Sequence, residues 1–131
     1  MFGTFVPYYL KQKKMNTLLE KISTINDMIL QGKALEAFDQ FYDDAIVMQE
    51  NDNPVVEGKA ANRKREEDFF EAITEFRGAQ PLKVTIGENT TMVEWHFDYT
   101  HKDWGIKNYT QVAVQDWKDG KIIKEKFYYG A

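Results

Sequence analysis

The chain contains no cysteine, which removes disulfide staples, thiolate nucleophiles and thiolate-bound zinc in one step. No apolar run approaches the length needed to cross a bilayer. The opening stretch MFGTFVPYYLKQKK carries its positive charges after its apolar residues, the reverse of a secretory signal. The expectation is a cytoplasmic protein with no membrane partner. There is also no surplus of positive charge: 17 basic residues are interleaved with 21 acidic ones for a net charge of -4, which leaves no broad face to neutralise phosphates and argues against a nucleic-acid partner. No serine-histidine-acid arrangement, glycine-rich phosphate loop or dinucleotide fingerprint is present, so no cofactor is expected.

What the chain does have is apolar and aromatic material. Hydrophobic residues make up 43% and aromatic residues 15% of 131 positions, enough for one domain with a packed core and some residues left to line a cavity. A domain of this length buries about two thirds of the surface its unfolded chain exposes. The first residues differ in character from the rest, and Met15 is a second possible start. Residues 1–15 therefore read as an appendage and residues 16–131 as the domain.

From Asn16, the recurrence of Leu18, Ile22, Ile25 and Ile29 defines one face of an amphipathic helix that stops near Gly32. A short second helix carries Leu35, Phe38 and Phe41 or Tyr42. Ala45 to Gln49 reads as a strand, Glu50 to Pro54 as a turn, and Val55 and Val56 as a second brief strand closed by Gly58. A third helix is expected from Lys59 to Phe76, with Phe69, Ile73 and Phe76 buried and Arg63, Lys64, Glu67 and Asp68 in water. After Gly78 the period changes to two, giving strands at Leu82–Gly87, Thr91–Thr100, Ile106–Trp117 and Lys121–Tyr129. Helices first and an antiparallel meander last is an α+β order.

Asp119-Gly120 is the strongest hairpin signal, since a type I′ turn needs positive φ at both central residues. Counting out from it sets Trp117 opposite Ile122, Val114 opposite Glu125 and Val112 opposite Phe127. If Asp103 and Trp104 tip the preceding hairpin, Trp95 lies opposite Val112. Both counts give one inner face holding Val93, Trp95, Phe97, Tyr99, Val112, Val114, Ile123, Phe127 and Tyr129, with a single carboxylate, Glu125, among them. An ionised acid in such company costs several kcal/mol unless it is bonded, paired or wetted by a cavity.

Three passages carry a family likeness: Gln31-Gly-Lys-Ala-Leu-Glu-Ala-Phe38 leading to Phe41-Tyr-Asp-Asp-Ala45; Val56-Glu-Gly-Lys-Ala60; and Val112-Ala-Val, then Lys118-Asp-Gly-Lys-Ile-Ile123, ending in Glu125-Lys-Phe-Tyr-Tyr129. On these the chain resembles the SnoaL-like group of the nuclear transport factor 2-like superfamily, which also includes ketosteroid isomerases and limonene epoxide hydrolases. The resemblance implies a cone-shaped α+β fold, three N-terminal helices on a curved, mainly antiparallel sheet, with a pocket at one end and a homodimeric assembly. It covers nearly everything after Met15 and is weak as a marker of function, because the superfamily hosts many chemistries. The isomerase branch needs a carboxylate base, a tyrosine and a protonated aspartic acid. The matching motifs put those three roles on Gln49, near Ile25 and on Val112, none of which can perform them.

Glu125 is the candidate catalytic acid or base, because burial would raise its pKa toward the useful range; a structural hydrogen bond is the alternative. The candidate ligand-binding residues are Tyr42, Gln49, Trp95, Tyr99, Val112, Phe127 and Tyr129, set against plain core packing for the aromatic ones. Gln49 and Glu50 end the first strand near the expected mouth of the pocket. Glu94, His96 and Asp98 lie on the outer face, where solvent or a dimer contact is favoured over a metal. The expected ligand is a small apolar or aromatic molecule. The two functional readings are acid-base catalysis of the isomerase, cyclase or hydratase type and a non-catalytic binding or dimeric accessory domain.

Overall fold

A computed structural model describes residues 6–130, and Met1 to Phe5 of the expected appendage lie outside the described residues. Helix α1 (Tyr8–Leu30) begins well before Asn16, so residues 8–15 continue the helix rather than hang from it. Tyr8, Tyr9 and Leu10 on its first turns are exposed, and burial begins only at Leu18. Helix α2 (Ala34–Phe41) follows a turn in which Gly32 takes φ 78°, the left-handed conformation that glycine tolerates. No helix among the described residues is long and apolar enough to cross a membrane.

The chain then enters β1 (Tyr42–Glu50), β2 (Val56–Glu57), α3 (Lys59–Glu71) and four long strands: β3 (Ile73–Ile86), β4 (Thr90–His101), β5 (Gly105–Lys118) and β6 (Lys121–Tyr129). They form one six-stranded sheet in the order β2-β1-β6-β5-β4-β3, antiparallel throughout except for the parallel pair of β1 and β6. The expected α+β architecture, three helices on a curved and mainly antiparallel sheet, is what the chain adopts. Leu18, Ile22 and Ile25 of α1 and Ala37, Phe38 and Phe41 of α2 pack onto Ile46, Met48, Val93, Trp95, Ala113, Trp117 and Ile122 of the concave face. That burial is the main stabilising force.

One element boundary differs. The third helix ends at Glu71 instead of Phe76, and Ile73 already belongs to β3, which runs to Ile86 and pairs with β4 from His101 to Thr91. Ile73 and Phe76 fit a helical spacing as well as an extended one. Pairing with a long neighbouring strand decides between them, and Phe76 ends up 60% exposed.

The register of β5 also differs. Asp119 and Gly120 take φ 51° and 79°, as the hairpin signal requires, and Trp117 does lie opposite Ile122. Beyond that pair Asp116 faces Lys124, so Ile123 is an extra residue in β6 and Gln115, not Val114, faces Glu125. The other hairpin closes with His101 opposite Gly105 around a three-residue turn, which sets Trp95 opposite Gln111 rather than Val112. Each count misses by one residue, both at β5. The two errors therefore agreed with each other, leaving β4 and residues 125–129 of β6 correctly faced and β5 inverted, while at the bulge Ile122 rather than the expected Ile123 enters the core. Ala113, Gln115 and Trp117 are the buried residues of β5, while Val112 and Val114 lie on the convex face with Tyr128 and Met92 as cross-strand partners.

Candidate functional site

Glu125 is 4% exposed and points into the concave face from β6. Both its oxygens are bonded: the Tyr42 hydroxyl donates to Oε1 at 2.5 Å and the Gln115 amide donates to Oε2 at 2.7 Å. The inversion of β5 makes the second bond possible, because it turns Gln115 inward to the position expected of a valine. Further bonds fix the direction of this network. The Trp117 indole N–H can only donate and does so to Thr91 Oγ1 at 2.9 Å; the Thr91 hydroxyl hydrogen then goes to Gln115 Oε1 at 2.6 Å. The Gln115 amide is thereby oriented with its N–H toward Glu125, which must accept. Burial pushes the Glu125 carboxyl above its ordinary range, while the Gln115 and Tyr42 bonds and the charge of Arg65 oppose that rise. Tyr42, enclosed beside this carboxylate, holds its proton well above the ordinary phenol range.

The end of the concave face away from the Asp119-Gly120 turn is aromatic and acidic. Tyr99 of β4 and Tyr109 of β5 share a hydroxyl contact of 3.0 Å; Tyr129 of β6 lies 5.8 Å from Tyr109 ring to ring; and Phe69 of α3 meets Tyr99 edge-on at 5.5 Å. Burial raises the pKa of all three tyrosines. Ile46, Met48 and Glu50 alternate inward along β1, and Glu50, opposite Phe127, carries a negative charge felt by each tyrosine. Trp95 stacks on Phe97 at 5.3 Å deeper in the core, and the half-buried Phe127 packs at its margin.

Helix α3 supplies what the sequence reading passed over. Asn62, Arg65, Glu66 and Phe69 recur at spacings of three, one and three, which puts them on the face turned to β1 and to the tyrosines. Asn62 is fully buried and anchors the helix by donating to the carbonyls of Val56 and Gly58 at 2.9 and 2.8 Å. The opposite face behaves as expected: Arg63 forks onto Asp39 at 2.7 and 2.9 Å and pairs with Glu67, and Lys64 meets Asp68 at 2.6 Å.

Glu66 differs from Glu125. Its carboxyl is shifted by burial first, then by the charge of Glu125, with Arg65 pulling the other way, and no hydrogen bond contributes. The outcome is a pKa pushed up to about 7. Arg65 reaches Glu50 through Nη1 at 3.4 Å, while its Nε and Nη2 are shielded from solvent and have no partner among the described residues. The signal for both residues was available in the sequence: once Arg63, Lys64, Glu67 and Asp68 are assigned to water, positions 62, 65, 66 and 69 remain for the inner face.

Of the expected site residues, Glu125, Tyr42, Trp95, Tyr99, Phe127 and Tyr129 share the concave face. Val112 does not, because of the inverted β5. Gln49 does not either: it alternates outward on β1, and its amide donates to the Asn53 carbonyl at 2.9 Å, closing the turn after the strand. His96 lies on the convex face, bonded to Asn108 at 2.7 Å, and Asp98 beside it pairs with Arg77 at 2.8 Å. Two surface hollows border the other end of the sheet, around Lys118, Asp119 and Ile123, and neither is lined by Glu125 or Glu66.

Residues 17–129 match the family model of the SnoaL-like domain, and the chain belongs to that family. Among solved structures it is similar to a protein of Mesorhizobium loti described as a SnoaL-like polyketide cyclase, at 26% identity, with 86% of this chain and 98% of that one covered and a TM-score of 0.77. It is similar in fold to an LEH-like epoxide hydrolase of M. tuberculosis at 10% identity, covering 89% and 85% of the two chains, TM-score 0.72. A cystatin-like protein of unknown function from Xanthomonas campestris, at 11% identity and covering 86% and 90%, gives a TM-score of 0.75. No curated protein matches the chain.

Proposed function

We propose that this SnoaL-like protein binds a small, largely aromatic molecule at the tyrosine end of the concave face, and that Glu66, not Glu125, carries acid-base chemistry there. The observation behind this is the contrast between the two carboxyls. Glu125 has both oxygens committed to a network whose polarity the Trp117 indole fixes, so its role is to hold Tyr42 and Gln115 in place. Glu66 has no hydrogen bond competing for its carboxyl among the described residues and a pKa of about 7, so near neutrality it can both give and take a proton. Tyr99, Tyr109 and Tyr129 supply flat surfaces and hydroxyls to orient a ring. The neighbours described as a polyketide cyclase and an epoxide hydrolase fit this class of chemistry.

The reading includes a cytoplasmic homodimer. Its support is an apolar patch on the convex face, where Met92 pairs with Val114 and Val112 with Tyr128 across strands, and Met92 and Tyr128 are 42% and 46% exposed. The fully bonded Glu125 network favours a second reading, a binding module without turnover.

Native mass spectrometry of the purified protein identifies a retained ligand, and the Glu66→Gln variant then separates the two readings. Catalysis at Glu66 predicts that Glu66→Gln keeps the ligand and loses conversion of it. Conversion that survives Glu66→Gln rejects that role.

A further inference from the structure

The guanidinium of Arg65 is only partly committed. Nη1 is tied to Glu50 Oε2 at 3.4 Å, but Nε and Nη2 make no hydrogen bond among the described residues and are shielded from solvent. These two nitrogens are not an arbitrary pair. They form the side-on fork of the guanidinium, whose parallel N–H bonds match the two oxygens of a carboxylate. Leaving charged donors buried and unpaired is costly, and native proteins keep such groups rarely. Arg63, two residues earlier, shows the cost is avoidable in this helix, since its fork of Nε and Nη2 is filled by the two oxygens of Asp39.

We infer that the ligand carries a carboxylate, and that the Nε/Nη2 edge of Arg65 receives it in a bidentate pair beside the Tyr129 end of the concave face. This rests on the binding site proposed above and narrows what enters it. Arg65 lies close enough to Glu66, Glu125 and Tyr129 to shift all three, so an anion on its fork is presented to the acid-base residue and the tyrosines together. The surrounding charge selects the anion. Glu50, Glu66 and Glu125 stand around a single arginine, so a phosphate dianion meets more repulsion than attraction, whereas a planar monoanion offers the geometry of the fork at half the charge. Glu50 holds the other end of the guanidinium and so fixes the fork's direction. Because the fork is covered, the ligand enters as a neighbouring side chain turns aside, and pairing of the two unpartnered donors offsets that cost.

The experiment uses 2-naphthoate and its neutral counterpart 2-naphthamide as probes, titrated calorimetrically into the full chain. The inference predicts that the acid binds at least about tenfold more tightly than the amide, and that Arg65→Lys, which keeps the charge and loses the fork, removes most of that preference. Inorganic phosphate should bind more weakly than the acid. Equal affinity for acid and amide in the unaltered protein, a comparison that needs no variant, overturns the inference while leaving the aromatic site standing; so does an acid preference untouched by Arg65→Lys, or phosphate binding as tight as the acid. Binding of neither naphthalene overturns the inference and the proposed site together.

Discussion

Replacing Glu66 by glutamine should stabilise the protein, by an amount that grows as pH rises from about 4.5 to about 7 and is constant above that. The folded state holds a proton on Glu66 up to a pH of about 7, whereas an unfolded glutamate loses it near 4.5. Between those values the folded state binds more protons than the unfolded one, so stability falls as pH rises through the window. The full shift corresponds to about 3 kcal/mol above pH 7, and partial contact with water trims it to about 2 kcal/mol. Glutamine has the same shape and cannot ionise, so it escapes the loss. The two proteins should melt together near pH 4.5. At pH 8 the variant should melt about 6 °C higher, taking about 3 °C per kcal/mol for a domain of this size. Paired thermal melts by circular dichroism from pH 4 to pH 9 measure this directly. A variant less stable than its parent at pH 8, or a difference that does not change with pH, would refute the reasoning, because it would mean that ionising Glu66 costs the fold nothing.

Tyr42→Phe removes one of the two donors to Glu125 and should cost about 2 kcal/mol at pH 7, seen as a lower urea midpoint, with the loss shrinking in acid as Glu125 takes up a proton. Thr91→Val breaks the network further out, orphaning the Trp117 indole and Gln115 Oε1, and should lower the melting temperature by a similar amount without changing ligand affinity more than a few-fold. Gly120→Ala forces a β-carbon onto φ 79° and within 2.7 Å of Lys21 Nζ, which bonds the Gly120 carbonyl; a loss of about 1 kcal/mol in a denaturant titration is expected. Val112→Lys puts a charge in the convex apolar patch and should convert the proposed dimer to monomer in light scattering while leaving the melt within about 0.5 kcal/mol of the parent monomer.

The sequence carried the architecture well, because long amphipathic stretches and one Asp-Gly turn leave little freedom: the α1 face of Leu18, Ile22 and Ile25 and the inward placement of Glu125 both follow from spacing. It carried β5 poorly. A strand reading Val112-Ala-Val114 invites burial of the valines, and only the extra residue at Ile123 together with the three-residue turn at Lys102–Trp104 shows that Gln115 is the inner residue. Bulges have no strong residue signature, and a one-residue slip exchanges every side chain between faces. The site was missed for a different reason. In a run as charged as Asn62 to Asp68, water is the ordinary destination of each residue, and it is the helical phase, fixed by Phe69 against Tyr99, that turns Arg65 and Glu66 inward.

The most direct test is a carbon-13 NMR titration of the glutamate side-chain carboxyls, with the Glu66→Gln variant giving the assignment. One carboxyl should titrate with a midpoint near 7 in the parent and be missing from the variant. A Glu66 carboxyl that titrates near 4.5 would contradict the account, since the group assigned to proton transfer would then be an ordinary surface acid.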